Sequence, residues 1–343
     1  MINHMKKNNN LNIGDILTLE IGPIAHGGHF ISKFNNQVIF VRHAITNEIA
    51  NVKITAVSSK LAFGDAVEIL RASKNRVEPP CKYSGAGGCG GCDFQHISIE
   101  MQKNLKEIII KDQFKRIAKI DISPDIISVE PLAGLHWRSR LDLSVSNNGK
   151  LGLYGHKSNE IVEIDECLIA VDKINRSEIF NRYWKNQGRL KITVSSENEL
   201  NVNQAGKNIL GSENLKEVVD GNNFVISPNS FWQSHINAPS LLLQKVIKYA
   251  DVKLGDKTCD LYGGVGLFTA PIAKLIGDKG EVHLIERDNE CIKDAKKMFQ
   301  KHDNIIIHHG KVEQKLGKIK KIDIIILDPP RNGVSTQVIN QII

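Results

Sequence analysis

The sequence predicts a multidomain protein: a small N-terminal β-barrel, a central α+β region and a C-terminal α/β doubly wound sheet. Three observations predict it. Residues 12–72 carry five short apolar strands separated by glycine and asparagine turns. Residues 77–97, VEPPCKYSGAGGCGGCDFQHI, are rich in Gly and Cys and have no usable periodicity. From about Pro239, buried-looking strands alternate with helical patterns, as in a parallel sheet with helical crossovers. At 343 residues the chain is longer than one ordinary domain. The pattern shifts place boundaries at 10–72, 73–225 and 226–343.

The barrel strands read as ILTLEI, FISKF, QVIFV, IANVKITAV and DAVEIL. Ser98 caps a helix beginning IEMQKNLKEIIIKDQF, with Met101, Leu105, Ile108 and Ile109 on one face. A β-rich stretch follows. WRSRLDLSVS and KLGLYG flank Asn147-Asn148-Gly149, and RLKITVSS and ELNVNQ flank Glu197-Asn198, giving two hairpins. The last region runs helix SLLLQKVIKYA, strand KTCDLY, helix LFTAPIAKLI, strand EVHLIE, helix NECIKDAKKMFQKH, strand NIIIHH and strand KIDIIILDPP.

Composition is that of a globular protein, 41% hydrophobic and 24% charged. No apolar run reaches the ~20 residues of a membrane span. The polar start MINHMKKNNNLN has no signal-peptide core, so the expected location is cytoplasmic, with no membrane partner. The net charge of +7 permits an anionic partner such as nucleic acid but does not require one. Nothing implies an obligate protein partner.

Six cysteines are present, and Cys81, Cys89 and Cys92 cluster with Cys81-x7-Cys89-x2-Cys92 spacing, while Cys167 lies far downstream. In a cytosolic chain such a cluster points to metal more than to disulfides. The loop has little apolar mass to pack bare thiols. Thiolates with flexible glycines suit an iron–sulfur cluster; Cys89-x2-Cys92-x3-His96 with Cys81 suits zinc. Cys259 and Cys291 fall in a strand and a helix and read as core residues.

CDLYGGVGLFTA, residues 259–270, reads as a strand, a glycine turn and a helix. Such a turn brings backbone against a ligand and aims free N–H groups at it. Thr269 occupies the third glycine position of the dinucleotide fingerprint, which argues against NAD. Glu286 ends the next strand, 20 residues after Gly266, where an acid takes ribose hydroxyls. Asp328-Pro329-Pro330-Arg331 ends the fourth strand of the sheet, at the edge where ligands sit. An Asp-Pro-Pro there, with the Gly264-x-Gly266 turn at strand one, points to a methyltransferase rather than a dehydrogenase. Phe231-Trp232-Gln233 precedes the sheet and reads as interior packing on chemistry alone.

Together these features resemble the RNA (uracil-5-)-methyltransferase family over nearly the whole chain. Residues 12–72 look like its TRAM (OB-like) barrel, with Thr46-Asn47-Glu48 where the family has Pro-Gly-Glu. CGGCDFQH and Cys167 match its iron–sulfur loop. The resemblance implies a [4Fe–4S] cluster on Cys81, Cys89, Cys92 and Cys167, within a central α+β iron–sulfur domain. Trp137-Arg138-Ser139-Arg140 and LGLYG resemble its central β domain. PNSFWQSHINA, DLYGGVG, Glu286 and DPPR match its cofactor motifs in order, within a Rossmann-like methyltransferase sheet. By the resemblance, Gln233, Tyr262, Glu286 and Asp328 contact S-adenosylmethionine, and Gly264 and Gly266 form the turn. Lys311 in HHGKVE departs from the acid or amide common after strand three. The implied partner is RNA, ribosomal (large subunit) or transfer, and the implied reaction is methylation of uridine C5.

The family places a nucleophilic Cys beyond the Asp-Pro-Pro-Arg motif and a general-base Glu further on. Neither is found in the 15 residues between Asp328 and Ile343, so no catalytic residue is assigned. A sheet of four strands also implies an unpaired edge and an uncovered apolar face. The expectation is an incomplete methyltransferase sheet, truncated at its C-terminus, that binds cofactor without turnover. Two rivals remain at this point: an RNA-binding factor without catalysis, and an amino-methyltransferase using Asp-Pro-Pro to orient an exocyclic amine.

Overall fold

Five strands form the first sheet: β1 (Ile16–Glu20), β2 (Phe30–Phe34), β3 (Gln37–Arg42), β4 (Ile49–Val57) and β5 (Leu61–Arg71). Their order is β1-β4-β5-β3-β2, antiparallel except for the parallel pair β3–β5. Alternation along each strand turns Leu19, Ile39, Val41, Val52 and Ile54 inward, where they pack with Phe30 and Ile45. The strands expected from sequence are all present. The computed structural model describes residues 11–185 and 188–343, so the polar stretch of residues 1–10 lies outside the described residues.

The chain divides into two compact units, 1–128 with 146–168, and 129–145 with 169–343. Helix α1 (Ile99–Gln113) belongs to the first; the Ser98 hydroxyl accepts the Met101 N–H at 3.4 Å, as the capping pattern predicts. Leu105 is buried, and Met101 and Ile109 pack against the barrel core. Ile108 is a correction: at 47% exposure it faces outward, beside the packed stripe rather than in it.

The central region contributes β6 (Arg140–Val145), β7 (Leu151–Tyr154), β8 (Ile161–Glu163), the one-turn helix α2 (Asp172–Asn175), β9 (Gly188–Val194), β10 (Leu200–Gln204), β11 (Lys207–Gly211), β12 (Leu215–Val219) and β13 (Asn222–Ile226). In the first unit β7 and β8 pair antiparallel, and the turn at Asn147-Asn148-Gly149 closes with the Ser146 N–H donating to Lys150 O at 2.8 Å. In the second unit β6, β9, β10 and β11 pair antiparallel in that order, and Asn198 takes φ +60° in the predicted β9–β10 turn.

The second unit ends in an α/β alternation, α3 (Ala238–Ala250), β14 (Lys257–Leu261), α4 (Thr269–Ile276), β15 (Glu281–Glu286), α5 (Asn289–Phe299), β16 (Ile305–His309), the short α6 (Val312–Lys315), β17 (Ile324–Leu327) and α7 (Thr336–Ile342); α6 and α7 are additions to the elements the sequence predicts. The four strands are parallel in the order β16-β15-β14-β17. The order reverses direction between β14 and β17, which opens a crevice at their carboxyl ends. Val282, Leu284, Ile272, Ile276, Ala295 and Phe299 form one buried cluster. Cys259, Leu261 and Ile285 form another with Val312, Leu316 and Val338. Both faces of β14 and β15 are thus packed, while β17 stands at the edge of the sheet with Leu327 37% exposed. Among the described residues no helix is long and apolar enough to cross a membrane.

Candidate cofactor site

The crevice at the β14–β17 switch is built by the turn after Leu261. Tyr262 takes φ +62°, a left-handed conformation rare for a residue with a Cβ. Gly264 (φ +57°) and Gly266 (φ +94°) continue the turn. A Cβ on Gly266 would lie 2.6 Å from the Phe299 ring, so this glycine permits close packing of turn on helix. Thr269 does not act as a missing glycine. It is buried, and its hydroxyl donates to Asp260 Oδ2 at 2.7 Å.

Glu286 ends β15 and faces this turn. Its Oε2 accepts the Gly264 N–H at 3.0 Å, and its Oε1 accepts the Arg287 and Asp288 N–H groups at 2.6 and 2.7 Å. The carboxylate is thereby fixed at the strand ends. A cavity of about 230 Å³ opens beside it, and Tyr262, Glu286, Lys311, Glu313, Pro330 and Ser335 are among its lining. Burial raises the Tyr262 phenol above its ordinary range, with the Glu313 carboxylate adding to the effect.

Asp328 directly follows β17, the neighbour of β14, with Leu261 opposite Leu327. Burial raises its carboxyl above the usual range. Tyr262 and Glu286 therefore meet in one cavity, with Gly264 bonded to its wall. Asp328 and Gln233 do not line that cavity. The segment before Gln233 is held from two sides. Asp294 Oδ2 on α5 accepts the Ser227 N–H at 2.8 Å, the Ser227 hydroxyl at 2.9 Å and the Ser230 hydroxyl at 2.6 Å. Arg140 Nη1 donates to Ser230 O at 2.7 Å. The packing expected of Phe231-Trp232 is half right: Trp232 is buried against Phe224 at 5.3 Å, whereas Phe231 is 65% exposed.

Three acidic groups in and around the site escaped the sequence reading. Asp260 is fully buried, and burial, with Asp328 and Glu286 nearby, pushes its carboxyl up to about 7. Asp294 lies among Lys293, Lys296 and Lys297 on α5, yet it is buried. Glu313 stands two residues past the Lys311 departure, and that spacing was the available signal.

The cysteine loop lies in the first unit. All six cysteines are among the described residues and none forms a disulfide. Burial pushes the Cys92 thiol up to about 11, and Cys167, Cys89 and Cys81 each act on it electrostatically. The Gly91 N–H donates to Cys89 Sγ at 3.4 Å. A Cβ on Gly88 would meet the Tyr83 carbonyl at 2.3 Å and one on Gly90 the Tyr154 and His156 backbone at 2.8 Å, so the loop needs the first glycine to fold back on itself and the second to lie against the end of β7. No set of three or more His, Cys, Asp or Glu side chains among the described residues is arranged to hold a metal ion. His96, the fourth residue of the zinc alternative, is bonded through Nε2 to Ala44 O at 3.1 Å.

Comparison with known proteins adds the following. Residues 11–67 match the TRAM domain family. Residues 200–342 match the protein-L-isoaspartate(D-aspartate) O-methyltransferase family. An uncharacterized RNA methyltransferase of Streptomyces avermitilis is 33% identical over 96% of this chain and 86% of its own length. One from Streptomyces coelicolor is 31% identical over 96% and 81%. Among solved structures, a Pyrococcus abyssi tRNA (uracil-54, C5)-methyltransferase in complex with S-adenosyl-L-homocysteine superposes with a TM-score of 0.69, covering 94% of this chain and 86% of that one. At 19% identity, that likeness speaks to the fold.

Proposed function

The chain belongs to the RNA (uracil-5-)-methyltransferase family of TRAM-bearing, S-adenosylmethionine-dependent RNA methyltransferases, and on that premise we propose that its chemistry is directed at C5 of uridine in RNA. The observation that carries the cofactor half is the Glu286 carboxylate, tied to the glycine turn at the switch point of the sheet. When bound, S-adenosylmethionine supplies an electrophilic methyl group. Around it Glu286 takes the ribose hydroxyls, and the Gly264 and Gly266 turn lets backbone approach. Tyr262, Gln233 and Asp328 complete the contacts, and Arg331 anchors phosphate or pyrimidine.

Uracil C5 is a poor nucleophile. The family chemistry activates it by adding a thiolate to C6, and a carboxylate later removes the C5 proton. The uridine must leave its stack for both ring faces to be reached. Residues 1–343 hold no suitable thiol in the sheet unit. Cys259 and Cys291 are buried, and burial pushes both thiols up to about 12, so neither is a thiolate near neutral pH. We therefore propose that residues 1–343 bind cofactor and RNA without turnover.

The three-part organisation at 10–72, 73–225 and 226–343 is retained as a functional division: barrel, cysteine domain and cofactor sheet. For Cys81, Cys89, Cys92 and Cys167 we infer a [4Fe–4S] cluster, whose role is to bind the loop into one structure. The thiols, the N–H donor to Cys89 and the glycine cradle fit that group. A single zinc would draw its sulfurs to about 3.8 Å of one another, from bonds of about 2.3 Å. A four-iron cluster holds its cysteines further apart.

The test is incubation with methyl-labelled S-adenosylmethionine and uridine-containing RNA. Cofactor and RNA binding without label transfer is expected. Labelled 5-methyluridine would overturn the absence of turnover, and label on an exocyclic amine would replace C5 as the target.

A further inference from the structure

A second cavity, of about 450 Å³, opens in the first unit between the barrel and α1. A space of this size takes one nucleotide. Pro23, Met101 and the outward-facing Ile108 give it an apolar wall. Arg71, Lys74, Asn47 and Asn75 give it polar groups, and no acidic side chain among the described residues lines it. Glu48 holds the walls together from behind. Its buried carboxylate accepts the Ile45 N–H at 2.8 Å, the Ser73 N–H at 3.0 Å and two Arg76 donors at 2.7 Å each. The 45–48 turn is thereby tied to the 73–76 loop, and Arg76 answers the charge of Glu48. On the rim, Arg71 donates to Asn47 O at 3.2 Å and stands 3.6 Å from the exposed Glu20. The side chains of Lys74, Asn47 and Asn75 take no hydrogen bond or ion pair among the described residues. Thr46-Asn47 stands where the resembled family has Pro-Gly. Asn47 takes φ +70°, a conformation that Gly adopts freely, so the turn keeps its shape while the cavity gains an amide.

We propose that this cavity is a subsite for one unpaired nucleotide of the RNA partner, with its phosphate on Arg71 and Lys74, its base against Pro23, Met101 and Ile108, and the base edge on the Asn47 and Asn75 amides. The proposal rests on the RNA reading above. Lys74, Asn75, Met101 and Ile108 lie outside residues 11–67, so the subsite belongs to the seam of barrel and helix and not to the TRAM barrel alone. Each amide offers donors and an acceptor, as the edge of a base requires. A duplex keeps its bases stacked inside, whereas a splayed base can enter a cavity.

Fluorescence anisotropy on residues 1–343 tests this with labelled oligouridine of about 12 nucleotides, within the span of one OB-type fold, and an abasic ribose-phosphate oligomer of equal length. The wild type should bind oligouridine the tighter. Lys74→Ala should weaken both oligomers and lower the slope of log affinity against log salt by about 0.7, the share of one phosphate on a single strand. Ile108→Ser and Asn47→Gly should weaken oligouridine about 3–10-fold at an unchanged salt slope and leave the abasic oligomer unaffected. Gly suits the Asn47 backbone, so that variant removes the amide without disturbing the turn. All three variants should melt as the wild type does. Equal loss of both oligomers in Ile108→Ser and Asn47→Gly, or no loss of oligouridine in either, would overturn the proposal. So would a wild type that binds both oligomers alike, or a fall in melting temperature that tracks the lost affinity. A wild type that binds neither oligomer would overturn the RNA reading itself.

Discussion

The Glu286 carboxylate accepts the Gly264 N–H at 3.0 Å, so the end of β15 holds the glycine turn of β14 in place. The same side chain takes the Arg287 and Asp288 N–H groups. Glu286→Gln keeps the size but replaces one acceptor oxygen with a donor, which faces N–H groups already donating. An unsatisfied donor of this kind costs about 1–3 kcal/mol. Glu286→Gln is expected to lower the apo melting temperature and to weaken S-adenosyl-L-homocysteine at least about tenfold. Unchanged melting by calorimetry would refute its role in holding the turn.

The two turn glycines should respond differently to a methyl group. A Cβ on Gly264 meets nothing within 4 Å, so Gly264→Ala bears only the left-handed backbone cost of about 1–2 kcal/mol. Gly266→Ala carries the same strain at φ +94° and adds a 2.6 Å clash with Phe299. Chemical denaturation should find Gly266→Ala the less stable by about 1–3 kcal/mol. Equal losses would mean that Phe299 yields freely.

Asp294 joins α5 to the segment that carries Gln233. Its Oδ2 accepts the Ser227 N–H and the Ser227 and Ser230 hydroxyls within 2.9 Å. Asp294→Ala removes the shared acceptor in a buried setting. The expected loss is about 2–4 kcal/mol, together with weaker S-adenosyl-L-homocysteine binding as the Gln233 segment loosens. Asp294→Asn, retaining one acceptor oxygen, should fall between the two. A destabilised Asp294→Ala with wild-type cofactor affinity would show that the segment does not position Gln233.

Much of this arrangement is legible in the chain because its signals are local. The alternation from α3 to β17, the Ser98 cap and the Glu197-Asn198 turn all depend on neighbours within a few residues. The β10–β11 and β12–β13 hairpins were not read. Lys207–Gly211 is exposed at every position and has no inward face to set a period of two. Ile108 was misplaced because a helical stripe of four apolar residues does not say how wide a surface it will meet. The site eluded local reading for another reason. Glu286 meets Gly264 across 22 residues and Glu313 meets Ser335 across 22, contacts made by sheet order rather than by spacing. Asp260 illustrates the same limit, since only the folded sheet removes it from water.

That burial makes a pH dependence. The Asp260 carboxyl lies at about 7 in the fold and near 3.8 unfolded, so the folded state binds the extra proton between those values. Stability from this group is present below about pH 4 and is lost as pH rises to about 7, the reverse of an ion-paired carboxylate. Asp260→Asn keeps an acceptor for the Thr269 hydroxyl and cannot ionise. Urea denaturation of the apo protein should show Asp260→Asn close to wild type at pH 4 and more stable at pH 8, by on the order of 2–4 kcal/mol. A difference independent of pH would mean that Asp260 ionises freely in the fold.

The cysteine loop yields the sharpest separation of two metals. Cys81, Cys89 and Cys167 each act electrostatically on Cys92, while His96 is directed to Ala44 O at 3.1 Å. If the four thiols hold a [4Fe–4S] cluster, protein purified without oxygen is brown, with iron and sulfide in equal amounts. Serine at any one of the four positions should remove most of the colour. His96→Asn should keep it, because the imidazole serves the barrel and not the metal. A zinc site of Cys81, Cys89, Cys92 and His96 reverses this pattern. It gives a colourless protein with one zinc per chain, lost in His96→Asn and retained in Cys167→Ser. Metal analysis and visible absorption on these variants decide the matter, and one zinc in colourless wild-type protein would overturn the cluster.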